Sequence, residues 1–486
     1  MAIPTLKNLI GGQWQESQAA EFLEVKNPAF AETIALVPQS TAAEVDQVVA
    51  AALEAFQKWR HTPAPVRAKA MFRFWEKLDK AQDEIVEIMV REHGKTRSDA
   101  KGEMTRAFEY VEYTCGIPEL LKGTYSEDVG RRVESYTVRE PLGPFVIIPP
   151  FNFPAMIALY FCWPLACGNP VIVKPSELCP TTMTRMAEIA QECPFPPGSL
   201  QVIQGGSEVG HRLITHPDVV GATFVGSSKV AEIVYQTATG RGKRAQCQGG
   251  AKNHLVINAD SLLEKNMDNV VNSCYGNASQ RCFAGSNLLV HEQVYDRFLA
   301  GFLEKAGQFK LGYGLDPEAT LGPVVSRKSL ENLLGFIERA EKAGAKILLD
   351  GRNPSVPKYP HGYFLAPTLI EAEPDLEIFR EEVFGPVRCI KRIRDLAEAV
   401  DIINRSPFGH TAVIYTENGG QARDFIRYCN TGQVGINVGT PAPIAYYPVG
   451  GRKISFFGDL RGRANDAVDF YTDKKVVVCR WMTPFA

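Results

Sequence analysis

The chain has 486 residues, 45% hydrophobic and 22% charged, with 53 basic against 55 acidic side chains and a formal net charge of −2. That length suits two or three domains around cores large enough to need no metal or disulfide staple, which excludes a small cross-linked scaffold. The balanced charge leaves no footprint for nucleic acid or an acidic membrane surface, so neither is expected as a partner. In chain order, Thr41 and Glu44 form a capping-box pair ahead of Val45, Val48, Val49, Ala52, Phe56 and Trp59, an apolar stripe at helical spacing. A second helical pattern runs from about Val66 to His93. A third begins near Lys101, with Met104, Phe108, Val111 and Cys115 on one face and Arg106 off its centre.

From Gly143 short β-rich runs alternate with helix-length segments. Phe145-Val-Ile-Ile, Val171-Ile-Val, Gln201-Val-Ile and Ala222-Thr-Phe-Val read as strands of βαβ units in a parallel sheet. Such a sheet holds its ligand outside the carboxyl ends of its strands, here the loops beginning at Pro149, Lys174, Gly205 and Gly226. A second α/β run follows Ala251. The segments Arg132 to Arg139 and Lys474 to Trp481 look detached from both and predict a small extra sheet with exposed edges, which implies a homo-oligomer, tetramer or dimer. The longest apolar stretch, Ala155 to Cys167, is too short to span a bilayer and contains Pro164. The start, Met1-Ala-Ile-Pro, resembles no signal or transit peptide, so a cytoplasmic location is expected. Eleven cysteines without a Cys-x-x-Cys predict reduced thiols and no metal site.

No Gly-x-Gly-x-x-Gly follows a strand, and the Gly205 to Gly210 turn taken alone is weak evidence for a nucleotide. Its company is more informative. Glu177, shortly after one strand, suits a ribose hydroxyl pair, and Gly226-Ser227, after another, suits a pyrophosphate at a helix amino terminus. Cys282, in Gln280-Arg-Cys, is a candidate nucleophile beside the Arg281 cation. Asn152, the polar residue of an apolar loop, is a candidate donor to an oxyanion.

Phe151-Asn-Phe-Pro, Val173-Lys-Pro-Ser-Glu, Phe224-Val-Gly-Ser-Ser, Gly250-Ala-Lys-Asn, Gln280-Arg-Cys and Glu382-Val-Phe-Gly-Pro-Val, in this order, resemble the motifs of the aldehyde dehydrogenase superfamily across about residues 6 to 481. The resemblance implies an α/β fold with a Rossmann-like NAD-binding domain (1–122, 142–248 and 441–464), an α/β catalytic domain (249–440) and β bridging segments (123–141 and 465–486). It implies a Cys282 thiolate attacking an aldehyde, an oxyanion held by the Asn152 amide and the Cys282 N–H, and hydride transfer to NAD. Lys174 and Glu177 map to the adenosine ribose and Ser227 to the pyrophosphate. Glu382 and Phe384 map to the nicotinamide end, and Phe151, Gly226 and Gly249 to the same cofactor site.

Hydrolytic members of that superfamily carry a glutamate 34 residues before the cysteine, where this chain has Gln248. An amide cannot act as a general base, which leaves a vacancy that a thiol nucleophile, coenzyme A, would fill as co-substrate. Gly250-Ala-Lys-Asn-His, Phe457-Gly-Asp-Leu and Asp469-Phe-Tyr-Thr-Asp-Lys-Lys are similar to the CoA-acylating methylmalonate-semialdehyde dehydrogenases, while Leu178 and the loop Thr440 to Ile454 depart from them. In that family two arginines hold the substrate carboxylate, and they map to Arg106 and Arg281. The implied reaction is NAD-dependent oxidation of methylmalonate or malonate semialdehyde, with decarboxylation and transfer to coenzyme A, giving propionyl-CoA or acetyl-CoA. The alternative is a hydrolytic aldehyde dehydrogenase that releases a free acid.

Overall fold

Thr41 and Glu44 close the box their spacing predicts. The Glu44 carboxylate accepts from the Thr41 N–H at 2.7 Å, and the Thr41 hydroxyl accepts from the Glu44 N–H at 3.3 Å. The helix they start, Ala42–Trp59, buries Val45, Val48, Val49, Ala52, Phe56 and Trp59. The computed structural model describes residues 3–482, so the extreme ends of the two terminal segments, 1–2 and 483–486, lie outside the described residues. The second pattern is two helices, Ala64–Lys80 and Gln82–His93, joined at Ala81. A single helix over that stretch would be about 42 Å long and would carry its far half away from the core. The turn at Ala81 instead keeps Met71, Phe74 and Leu78 in one cluster with Ile85, Val86 and Met89. The third helix starts earlier than expected, at Arg97, because the Thr96 hydroxyl caps it by accepting from the Asp99 N–H. Its buried face carries Met104, Ala107 and Val111, while Phe108 is only partly covered.

The first large sheet has eight strands, in the order Gln13–Gln15, Asn8–Ile10, Leu200–Val202, Val171–Val173, Phe145–Ile148, Gly221–Val225, Arg244–Gln248 and Phe456–Phe457. Its five central strands are parallel. The chain moves outward from Phe145–Ile148 in one direction and then resumes on its other side at Gly221–Val225. That reversal is a topological switch point, and the loops after these two strands diverge there to leave a crevice. The second sheet has seven strands, with Asn253–Ile257, Gly285–His291, Val387–Ile393 and Thr411–Tyr415 parallel at its centre. The link between the sheets is short, Gly249 to Lys252. The first sheet therefore presents its carboxyl ends to the junction and the second its amino ends, an arrangement that the strand-end rule alone does not predict.

The two detached segments pair with each other: Val133–Pro141 runs antiparallel to Thr472–Arg480 on one side and to Tyr125–Gly130 on the other. Tyr125, Val129, Val138, Val476 and Val478 are exposed on this small sheet. Among the described residues no helix is long and apolar enough to cross a membrane.

Candidate active site

Of the eleven cysteines nine are buried, and only Cys282 and Cys479 are partly exposed. Cys282 stands in the wall shared by two cavities. One, of ≈ 470 Å³, runs from the switch point of the first sheet and is lined by Phe151, Asn152, Lys174, Glu177, Gly226, Ser227, Gly249, Glu382 and Phe384. The other, of ≈ 400 Å³, opens on the opposite side, with Arg106, Tyr110, Asn277, Arg281 and Arg463 among its walls.

The approach to the thiol is unusual backbone. After the helix Leu263–Tyr275 the residues Asn277, Ala278 and Ser279 have φ of 56°, 49° and 59°. Left-handed conformations of non-glycine residues cost on the order of 1 kcal/mol each and persist only where the surroundings impose them. Here Asn253, of the Gly250-Ala-Lys-Asn segment, clamps the loop by donating to the Cys282 carbonyl at 2.7 Å and the Ala284 carbonyl at 2.9 Å. From the other side the Asn152 amide donates to the Gln280 carbonyl at 2.9 Å. An amide nitrogen carries two hydrogens, so Asn152 keeps a second donor in the cleft that Cys282 also lines.

Burial pushes the Cys282 thiol up to about 12, with the Glu382 carboxylate adding to the rise. The N–H groups of Cys282 and Phe283 at the sulfur and the Arg463 cation act in the opposite direction. The resting group is thus a thiol whose conjugate base has donors already in position.

The Asn152 loop rests on a buried ion pair. Lys95 Nζ donates to Glu103 Oε2 at 2.6 Å and to the Asn152 carbonyl at 2.9 Å, and both side chains are fully buried. Glu103 Oε1 accepts from the N–H groups of Ala155 and Met156 at 2.8 and 2.9 Å. Sequence reading missed this pair. The available signal was a glutamate one position from Met104, at apolar spacing to Ala100 and Ala107 on the same helix.

At the far end of the cofactor-sized cleft, Lys174 is buried and donates to the carbonyls of Pro175 and Gly205, both at 2.8 Å. The half-exposed Glu177 carboxylate lies 3.6 Å from its ammonium. Ser227 occupies the N-cap position of the helix Ser228–Thr239 without capping it, which leaves that helix start open to an anion. Gly249 has no room for a Cβ, which would meet the Ile454 carbonyl oxygen at 2.5 Å, and one on Gly250 would collide with the Glu382 carboxylate. Phe384 is held at φ 55° with its ring edge-on to Phe151, centroids 5.9 Å apart. A dinucleotide fits this set: an acid for a ribose, an uncapped helix for a pyrophosphate, and an aromatic end next to the thiol.

Glu382 lies along the same wall and accepts from the Ala251 N–H at 2.8 Å. Burial raises its carboxyl to about 7, against the lowering effect of that hydrogen bond and of Lys252. The ionised form is thus penalised in the folded protein, and this group's contribution to stability falls as pH rises from the ordinary carboxylate range through about 7. Glu382→Gln should therefore raise the thermal midpoint at pH 8 and leave it nearly unchanged at pH 4.5, a difference that thermal unfolding across that range will read.

Arg106 and Arg281 both face the second cavity, each already paired. Arg281 Nη2 meets Asp99 Oδ1 at 2.5 Å, and Arg106 Nη1 meets Glu109 Oε1 at 2.8 Å. Asp99, Glu103, Arg106 and Tyr110 form one stripe of the helix Arg97–Cys115, the stripe adjoining its apolar face. Gln248 lines neither cavity; it is buried, and its Nε2 has no partner.

Two parallel-sheet lobes, with a dinucleotide-sized cleft and a polar cavity meeting at one thiol, define a nucleotide-dependent enzyme architecture with a cysteine at the junction. Residues 14–477 match the Aldehyde dehydrogenase family, and the chain belongs to it. It is 41% identical to malonate-semialdehyde dehydrogenase 3 of Geobacillus kaustophilus, over 98% of this chain and 99% of that protein. Identity to the malonate-semialdehyde dehydrogenase of Halalkalibacterium halodurans is 39%, over 98% of each. Among solved structures, methylmalonate-semialdehyde dehydrogenase of Oceanimonas doudoroffii superposes with a TM-score of 0.97 at 38% identity, over 99% of both chains. A Sinorhizobium meliloti protein described as a methylmalonate-semialdehyde dehydrogenase and complexed with NAD does so with the same score at 36%, again over 99% of both.

Proposed function

We propose that this chain is an NAD-dependent, CoA-acylating dehydrogenase of malonate or methylmalonate semialdehyde. The observation that carries the reading is the position of Cys282, the one thiol bordering both the cofactor-sized cleft and the arginine-lined cavity. Its names among relatives support the same substrate class.

In this reading Cys282 Sγ forms a bond to the aldehyde carbon while the carbonyl pair moves onto oxygen, where the free Asn152 N–H and the Cys282 N–H receive it. Glu382, ionised above about pH 7, takes the thiol proton, and the Arg463 charge favours the thiolate. Bound in the larger cleft, NAD would supply the hydride acceptor for that carbon and a positive charge at the Cys282 end. Phe151 and Phe384 wall that end of the cleft, while Lys174, Glu177, Gly226, Ser227 and Gly249 hold the rest of the dinucleotide.

Cys282 then carries a thioester. With Gln248 in place of a carboxylate, attack by water lacks its usual base, and the coenzyme A thiolate displaces the Cys282 thiolate instead. The substrate's β-carboxylate leaves as carbon dioxide, the bonding pair passing to the adjacent carbon, which takes up a proton. The exposed apolar residues of the three-stranded sheet suit burial against a second copy, and we read the protein as a cytoplasmic homo-oligomer.

Hydrolysis is the competing outcome, and Glu382 is the observation that favours it, since a carboxyl near 7 in the same cleft could activate water. Steady-state NADH formation from malonate semialdehyde and NAD, with and without coenzyme A, separates the two. Sustained turnover only with coenzyme A, acetyl-CoA rising in step with NADH, is expected. Equal turnover without it, yielding free acid, would overturn the acylating reading.

A further inference from the structure

Arg463 sits at the N-cap position of the helix Ala464–Tyr471 and is 3% exposed, yet it forms part of the wall of the second cavity. Its guanidinium carbon lies 4.4 Å from the centroid of the Tyr110 ring and 6.0 Å from that of Tyr160. Nη1 donates to the Pro443 carbonyl at 2.8 Å and Nε to the Tyr160 hydroxyl at 3.4 Å. Among the described residues no carboxylate comes within ion-pair distance of it.

The other charges of the cavity cancel. Arg281 has Asp99, Arg106 has Glu109, and Glu103 has Lys95. One positive charge is left over, and it belongs to Arg463. A buried guanidinium without a counter-ion is strongly penalised, and the penalty is relieved when an anion enters. A second, independent feature stands beside it. The Tyr110 hydroxyl is buried at the same wall and has no hydrogen-bond partner, and neither has Asn277 Oδ1.

We propose that Arg463, with the Tyr110 hydroxyl, is the primary anchor for the substrate carboxylate. This rests on the reading that the substrate is a carboxylated aldehyde. Arg106, half exposed and held by Glu109, and Arg281, held by Asp99, then serve as secondary cations that must share their charge with their own acids. The anchor selects short aldehydes carrying one carboxylate and disfavours neutral aldehydes of the same size, whose entry leaves the guanidinium and the phenol unpaired.

The test compares kcat/KM for malonate semialdehyde and for propanal, both at saturating NAD and coenzyme A, with an NAD titration to check that each variant is folded. Arg463→Gln should lower kcat/KM for both aldehydes, because it also withdraws the charge that favours the Cys282 thiolate, but the loss for the semialdehyde should exceed that for propanal by about 100-fold, the scale of a charge-assisted contact. Tyr110→Phe should lose about tenfold for the semialdehyde alone. Should Arg463→Gln fail to bind NAD, Tyr110→Phe carries the test, because it removes only a hydroxyl that nothing in the protein uses. Equal losses for both aldehydes in the folded variants, or no loss for either, would overturn the anchor. Wild-type protein that oxidises propanal but not malonate semialdehyde would instead overturn the substrate reading, and this inference with it.

Discussion

Cys282→Ser is expected to lower NADH formation from every aldehyde by at least about three orders of magnitude, with NAD affinity retained. Burial already pushes the thiol to about 12, and a hydroxyl in that place would hold its proton far more tightly. The help available to the thiol is modest: two backbone N–H groups, the Arg463 charge, and Glu382 as proton acceptor. That help suffices for a sulfur nucleophile but not for an alkoxide. NAD affinity survives because Cys282 contributes only one edge of a cleft built mainly by the first sheet. Stopped-flow and steady-state absorbance of NADH, beside an NAD titration, will measure both. A serine variant within tenfold of wild type would sink the covalent route altogether.

Much of the fold was legible because its elements obey local rules. The capping box at Thr41, the four strand runs from Phe145 to Val225, and the pairing of the two detached segments all follow from spacing and residue type. What misled the reading was geometry beyond one element. The periodicity from Val66 to His93 is continuous, so nothing local marks the turn at Ala81, which contains neither glycine nor proline. At the site, the residues carried by short loops could be named because loops carry chemistry-bearing types in apolar surroundings. The supporting charges could not. Lys95 and Glu103 meet only once two elements pack, and Arg463 lies in a Gly-Arg-Ala context that reads as surface. The left-handed run at Asn277, Ala278 and Ser279 was invisible too, since the loop that follows it is clamped from distant segments, at Gln280 by Asn152 and at Cys282 by Asn253.

The largest stability effect should come from Lys95→Met, which leaves the Glu103 carboxylate buried without its cation and is expected to cost about 3–5 kcal/mol. For domains of this size that corresponds to a thermal midpoint lower by roughly 10 °C. Glu103 cannot relax into water, because both its oxygens are engaged at the Asn152 loop by the Ala155 and Met156 N–H groups and by Lys95. The same substitution removes the donor to the Asn152 carbonyl, so kcat should fall even at temperatures where the protein stays folded. The two effects separate in a double-mutant cycle. Adding Glu103→Gln removes the orphaned charge while its amide oxygen can still accept from Ala155 and Met156, so much of the lost stability should return. The loss in kcat should not, since the Asn152 carbonyl remains without its ammonium donor. Recovery of both together would mean that the ion pair acts on folding alone and that Asn152 is oriented by its own contact with Gln280.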